Sequence, residues 1–243
     1  YRRNLLRLLA LILFLPLARI GFKYKPSFGL GGFGLRSMGP VALGSLGVVI
    51  TSEICGIILT RIATSAPQRA HELTGASLFS VAGNATYQNA YTLFILPYSL
   101  IAVSVSTAMF PKISRSIAAA NLDEARHDLV SALNNVGLLI MFFAAAMVVF
   151  PEPIIRALLP SVSMDETMLI SYALIALSVG IPLGSAFLLI QRTFYAFEDG
   201  LHPFLSAVMQ YGFTSIFMII GMMVLPPEHW VLGIACSVTL GGL

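Results

Sequence analysis

Long charge-free runs constrain the fold of this sequence more than any other feature. Five stretches are long enough to matter: Leu73–Pro111, Leu129–Phe150, Thr167–Gln191 and Pro203–Pro227 contain no Asp, Glu, Lys or Arg, and Ser37–Thr60 is interrupted only by Glu53. About 20 apolar residues in helical conformation cross the hydrocarbon core of a bilayer. The sequence therefore predicts at least five membrane-spanning segments.

The composition agrees with a membrane protein. Hydrophobic residues make up 57% of the chain and charged residues 10%, whereas a soluble domain has roughly 25% charged residues. The runs are continuously apolar and do not alternate with period two, which indicates helices and not a β-barrel. The predicted fold class is all-α, a polytopic helical bundle. The apolar segments at the two ends, Leu8–Ala18 and Trp230–Leu243, look incomplete, so we expect the natural protein to extend in both directions.

A basic, glycine-rich stretch predicts the domain organisation. Residues 21–36 are expected to be a cytoplasmic linker, residues 1–20 the last helix of a preceding lobe, and residues 37–243 a lobe of about six membrane helices, the last one truncated. Successive loops lie on alternate sides of the membrane. The loops on the same side as this linker hold eight Lys and Arg residues, whereas the opposite loops hold three. This excess of basic residues places the loops on the linker's side in the cytoplasm. The basic residues thus indicate orientation, and no nucleic-acid partner is predicted.

One predicted span carries a polar stripe. On a helical wheel, eight polar side chains fall within an arc of roughly 140°; they are Asn84, Tyr87, Gln88, Tyr91, Thr92, Tyr98, Ser99 and Ser106. Lipid cannot satisfy such groups, so the stripe faces either a water-filled cavity or polar groups on neighbouring helices. Pro97, in mid-span, predicts a kink.

Glu53 is the one carboxylate in the middle of a predicted span, which makes it a functional candidate. Arg61 lies about 12 Å further along the same helix, too far for a direct ion pair. Two plainer interpretations stay open, namely a protonated Glu53 bonded to a neighbouring helix and an Arg61 that snorkels to the interface. No nucleotide-binding, metal-binding or catalytic motif is present, so neither an enzyme nor a metal site is predicted.

Four motifs occur in the order and spacing of a known transporter family. They are Leu96–Arg115 (ending TAMFPKISR), Glu152–Arg156 (EPIIR), Arg192–Asp199 (RTFYAFED) and the pair His202–Pro203. Over nearly its whole length the chain resembles the MviN/MurJ-type lipid II flippases of the MATE-like exporter superfamily, with actinobacterial members resembling it better than others. The resemblance implies the second lobe of a two-lobed transporter in the bacterial inner membrane.

The resemblance also implies a function and its residues. The expected activity is alternating-access flipping of lipid II, a polyprenyl-pyrophosphate-linked peptidoglycan precursor, with the bilayer and cell-wall synthesis proteins as partners. The expected cavity or substrate residues are Glu53, Arg61, Asn84, Gln88, Tyr91, Thr92 and Ser99, and the expected cytoplasmic gate or headgroup contacts are Lys112, Arg115 and Arg192. No cofactor is expected, but Glu53 is expected to bind a coupling cation or to pair with a basic residue of the first lobe.

The chain departs from the family at two positions of one helix, and three other functions stay open. Many members carry Arg and Glu where this chain has Thr92 and Ile95. The alternatives are an exporter of another lipid-linked oligosaccharide or of drugs, a non-transporting cell-wall scaffold, and a membrane-embedded glycosyltransferase. The last would need acidic residues in extramembrane loops, and the predicted loops are short.

Overall fold

The computed structural model describes residues 35–242, and the side chains of residues 39 and 41–242. The predicted helix over residues 1–20 and nearly all of the predicted linker over residues 21–36 lie outside this range. The chain divides into two compact units, residues 1–37 and residues 38–243. The helical bundle described below belongs to the second unit.

Within residues 35–242 the chain is a succession of helices. The α-helices are α1 (Leu35–Thr74), α2 (Asn84–Pro97), α3 (Ser104–Ala118), α4 (Leu122–Val149), α5 (Pro151–Leu158), α6 (Met164–Ala196), α7 (Leu201–Val224) and α8 (Trp230–Gly241). A π-helical segment, Tyr98–Val103, joins α2 to α3, and a short 3₁₀ turn, Pro227–His229, precedes α8. The all-α prediction is confirmed.

Within the described part of the chain, five helices are long and apolar enough to cross a membrane, which confirms the predicted spans. They cover Val41–Thr74, Asn84–Ala118, Leu122–Val149, Met164–Ala196 and Leu201–Val224. Several extend beyond the charge-free runs, because charged side chains at a helix end can reach the aqueous interface without ending the helix. Lys112 and Arg115 therefore lie within α3, not in the loop that the sequence predicted.

The acidic pairs that follow the turns begin helices. Asp123 and Glu124 lie in the first turn of α4, and Asp165 and Glu166 lie in the first turn of α6. Negative charge at this end complements the helix macrodipole.

The helix from Asn84 to Ala118 changes its geometry in mid-span. Pro97 has no backbone N–H to donate, and the π-helical segment Tyr98–Val103 follows it directly. A π-helix closes its hydrogen bonds over five residues instead of four, so side chains beyond Pro97 turn away from the positions that an α-helical wheel gives them. The predicted polar stripe can therefore be continuous only along α2.

Helix α6 forms the centre of the bundle. Leu174, Leu177 and Ile181 are fully buried, and α6 packs against α2, α4 and α8. At Gly180 a Cβ atom would lie only 3.0 Å from the Thr239 hydroxyl of α8. This close approach gives Gly180 a packing role, since small residues let membrane helices approach each other.

The contacts of α1 show which helix ends share a side. Near its start, a Cβ at Gly44 would meet the backbone of Gly200 in the turn between α6 and α7. At its end, the Thr74 hydroxyl donates a hydrogen bond to Glu228, in the connection between α7 and α8. These contacts agree with the predicted alternation of the spans. Which side is cytoplasmic stays a prediction from the charge distribution.

Candidate functional site

A polar cavity of about 420 Å³ opens among α1, α2, α7 and α8. Its lining residues are Ser52, Glu53, Cys55, Gly56, Leu59, Thr60, Tyr87, Gln88, Tyr91, Gln210, Tyr211, Thr214 and Val238. Three of the predicted site residues, Glu53, Gln88 and Tyr91, thus meet here from two helices. Polar side chains within a membrane-spanning bundle need water, a ligand or each other, so this cavity is the first candidate site.

A second polar surface runs along the exposed face of α1. This α1 groove has a volume of about 600 Å³ and is lined by Glu53, Gly56, Ile57, Thr60, Arg61, Thr64, Ser65 and Gln68. The opposite face of α1 is buried at Cys55, Ile62, Ala63, Ala66 and Ala70, so the groove is turned away from the bundle. Glu53, Gly56 and Thr60 line both surfaces.

Glu53 therefore lies at the boundary between the cavity and the α1 groove. Its side chain is exposed and forms no ion pair with the residues that the structure describes. It is the single carboxylate among the described residues of the cavity lining, and residues 35–242 contain no cluster of three or more His, Cys, Asp or Glu side chains. A cation held here would depend on Glu53 together with neutral oxygen atoms.

The aromatic side chains of α2 form a ladder beside the cavity. Tyr87 and Tyr91 stack with ring centroids 6.0 Å apart, Tyr91 and Phe94 at 5.5 Å, and Phe94 and Tyr98 at 6.4 Å. Tyr87 is buried, whereas Tyr91 is 36% exposed. Stacking restrains the Tyr91 ring, which also lines the cavity.

The remaining predicted cavity residues lie elsewhere. Asn84 lines a separate cavity near the first turn of α6, with Asp165 and Glu166. Thr92 and Ser99 are exposed, and their hydroxyls donate to backbone carbonyls of their own helix, those of Gln88 (2.8 Å) and Leu96 (3.1 Å). Neither lines the cavity or the α1 groove.

The predicted gate or headgroup residues have different surroundings. The Lys112 ammonium forms an ion pair with the buried carboxylate of Asp128, at 2.6 Å. The Arg115 guanidinium donates to the Pro111 carbonyl within its own helix, at 3.1 Å. Arg192 is half-buried near the end of α6.

Sequence reasoning missed several residues of this region. It did not place Gln210, Tyr211 or Thr214 at the site, and all three are in the cavity lining. A signal was available, because Gln210 and Thr214 are four residues apart and share one helix face. For Asp128 no signal distinguished a buried acid from the other charges at the start of α4.

Comparison with known proteins assigns the family. The family model described as lipid II flippase MurJ matches residues 6–243. The chain belongs to the MurJ lipid II flippase family. Its sequence is 27% identical over 162 residues to the lipid II flippase MurJ of Thermosipho africanus (strain TCF52B), a match that covers 64% of this chain and 31% of that protein. It is 29% identical over 120 residues to a probable lipid II flippase MurJ of Rhizobium meliloti (strain 1021), covering 47% of this chain and 22% of that protein.

Two solved structures have the same fold as this chain. A lipid II flippase MurJ in an inward closed conformation matches with a TM-score of 0.66 and 23% identity, over 95% of this chain and 45% of that chain. A MOP superfamily transporter from Pyrococcus furiosus matches with a TM-score of 0.62 and 15% identity, over 90% of this chain and 45% of that chain. The chain thus spans less than half the length of the proteins it matches, and it is a multi-pass membrane protein.

Proposed function

We propose that the complete protein moves lipid II from the cytoplasmic to the outer leaflet of the bacterial inner membrane by alternating access. The observation that carries this proposal is the polar cavity, which gathers Glu53, Gln88 and Tyr91 within the membrane-spanning part of a MurJ-type bundle. The direct partners are then a polyprenyl-pyrophosphate-linked substrate and the bilayer. Cell-wall synthesis proteins are proposed as further partners on the family resemblance alone.

The α1 groove supports a role for this chain as one lobe of a larger transporter. Its polar side chains, including Arg61, Thr64 and Gln68, face away from the bundle, where lipid would leave them unsatisfied. A second lobe placed against α1 would enclose the groove and the cavity in one aqueous passage. The preceding part of the chain would supply that lobe, with residues 21–36 as the linker.

Glu53 is the residue that we propose couples substrate movement to the conformational change. An unpaired carboxylate in mid-membrane must be neutralised by a proton, by a cation or by a basic side chain. A cation, or a basic residue of the other lobe, that binds Glu53 in one state and leaves in the other would bias the equilibrium between the two states. The π-helical segment after Pro97 gives α2 and α3 a point at which they can bend.

The experiment uses the full-length gene in a bacterium whose own lipid II flippase is depleted. The complete wild-type protein is expected to restore growth and to expose lipid II to an outside-acting enzyme that cleaves it. Restored growth without lipid II exposure would indicate a scaffold. Drug resistance without restored growth would indicate a drug exporter.

A further inference from the structure

The side chains that line the cavity suit an uncharged ligand better than an anionic one. Among the lining residues that the structure describes, Glu53 is the one that is charged at neutral pH, and none is Lys, Arg or His. The other polar groups are the amides of Gln88 and Gln210 and the hydroxyls of Ser52, Thr60, Tyr87, Tyr91, Tyr211 and Thr214. Amides and hydroxyls both donate and accept hydrogen bonds, as sugar hydroxyls and peptide amides do.

A phosphate group would meet unfavourable electrostatics in this cavity. A pyrophosphate linkage is negatively charged, and an ionised Glu53 carboxylate would repel it. The part of the lining within residues 35–242 holds no cation that could offset that repulsion. Thr92, on the same helix as Gln88, is exposed and outside the lining.

The nearest cation along α1 lies in the α1 groove. Arg61 lines the groove and not the cavity, and it is eight residues beyond Glu53, about 12 Å along the helix axis. It forms no ion pair with the described residues. The cavity and the α1 groove meet at Glu53, so one ligand can contact both surfaces. Its uncharged part can lie in the cavity while its charged part lies in the groove.

The volume of the cavity is that of a site for a small chemical group. It is about 420 Å³, within the range of about 300–1,000 Å³ that is usual for small-molecule sites. One sugar ring or a short stretch of peptide fits in that space.

We infer that this cavity binds an uncharged, hydroxyl- or amide-bearing part of the substrate head group, and that the phosphate remains outside it. The inference rests on the proposed function. It assigns Gln88 and Gln210 as specificity residues for the sugar or peptide. Neither residue would contribute to recognition of the pyrophosphate.

The test compares binding of three lipids to the purified full-length protein. They are lipid II, a polyprenyl pyrophosphate that carries the disaccharide without peptide, and a polyprenyl pyrophosphate without sugar. Gln88→Leu and Gln210→Leu should each weaken lipid II binding about tenfold, the effect of losing good hydrogen bonds, and should leave binding of the sugar-free lipid within about twofold. Asn134→Leu removes an exposed amide from α4 and serves as the matched control.

The lipids also identify the bound part. Weaker binding of the disaccharide lipid by the two variants would assign the cavity to the sugars, and weaker binding of lipid II alone would assign it to the peptide. Equal weakening for all three lipids, or weakening for the sugar-free lipid alone, would overturn the inference while the proposed function stood. If the wild-type protein bound the sugar-free lipid but not lipid II, both proposals would fail.

Discussion

The ammonium nitrogen of Lys112 lies 2.6 Å from a carboxylate oxygen of Asp128, and this ion pair joins α3 to α4 near their connecting turn. Asp128 is 3% exposed, whereas the Lys112 side chain is 53% exposed. The second carboxylate oxygen of Asp128 is buried and has no hydrogen-bond partner among the described residues. Lys112 is therefore the counter-ion of a buried acid, a role distinct from the predicted headgroup contact.

Removing Lys112 alone should destabilise the protein more than removing both partners. Lys112→Met leaves a buried carboxylate unpaired and should lower the free energy of unfolding by about 2–3 kcal/mol, somewhat less than for a fully buried pair because Lys112 is half exposed. The double variant Lys112→Met/Asp128→Asn should recover most of that loss. Denaturation of the detergent-solubilised protein in a double-mutant cycle measures both effects. Loss of flipping with unchanged stability in Lys112→Met would instead support the headgroup role.

Replacing Glu53 should impair transport without impairing folding. Glu53→Gln keeps the shape of the side chain but removes its charge, and because the side chain is exposed, stability should change little. Lipid II flipping by the full-length protein should fall about tenfold or more, the effect of losing one close charge interaction. Glu72→Gln, which removes a carboxylate with an exposed Arg69 partner, is the matched control. Flipping at the wild-type rate would favour a packed, protonated Glu53.

The close approach of α1 to the turn between α6 and α7 should make Gly44 intolerant of a side chain. A Cβ at Gly44 would lie 2.1 Å from the Gly200 carbonyl oxygen, so Gly44→Ala should destabilise the protein by about 1–3 kcal/mol through overpacking. At Gly137, in α4, nothing lies within 4 Å of the added Cβ. Gly137→Ala should therefore stabilise the helix by about 0.5–1 kcal/mol. Thermal unfolding of the two variants would reveal the opposite signs, and equal effects would contradict the proposed contact.

Cysteine labelling of intact cells tests the predicted orientation. After Cys55 and Cys236 are replaced by Ala, a cysteine at Asn121, in the turn between α3 and α4, should resist a membrane-impermeant thiol reagent. A cysteine at Phe79, which is 90% exposed in the loop between α1 and α2, should react. The reverse pattern would invert the topology. The corresponding cysteine at Ser27, in the predicted linker, should also be protected.

The carboxylate of Asp199 predicts a pH dependence. It accepts hydrogen bonds from the backbone N–H groups of Leu201 and His202, at 2.9 and 3.2 Å, and from the His202 ring. Desolvation opposes its ionisation, but these hydrogen bonds outweigh that effect and lower the pKa of Asp199 below its usual value. The resulting stabilisation is present above the usual aspartate pKa of about 4 and is lost as the pH falls through the lowered pKa.

Asp199→Asn should therefore reduce stability slightly at neutral pH and weaken its dependence on pH in the acid range. Melting temperatures between pH 7 and pH 3 measure this change. Glu198→Gln, at an exposed position in the same turn, is the control for the change in net charge. An unchanged acid dependence in Asp199→Asn would show that the hydrogen bonds contribute nothing to folding.

The pattern of charges along the chain was sufficient to predict the helical membrane fold. Crossing a bilayer requires about 20 apolar residues in a helix whatever the neighbouring helices do, so the spans around Leu129–Phe150 and Thr167–Gln191 could be located without knowing their contacts. The residues within single spans were also sufficient to predict a kink at Pro97 and a functional role for Glu53. Four short motifs identified the family.

Tertiary structure alone decided which polar residues share a site. Cavity lining depends on how helices distant in sequence pack, and no helical wheel of α2 shows that Gln88 and Tyr91 lie beside Gln210 of α7. The wheel also failed beyond Pro97, because the π-helical segment changes the angle between successive side chains. The burial of Asp128 likewise depends on the packing of α4 against α3. Whether a segment crosses the membrane depends on the residues of that segment alone, whereas the pairing of polar groups depends on contacts between segments.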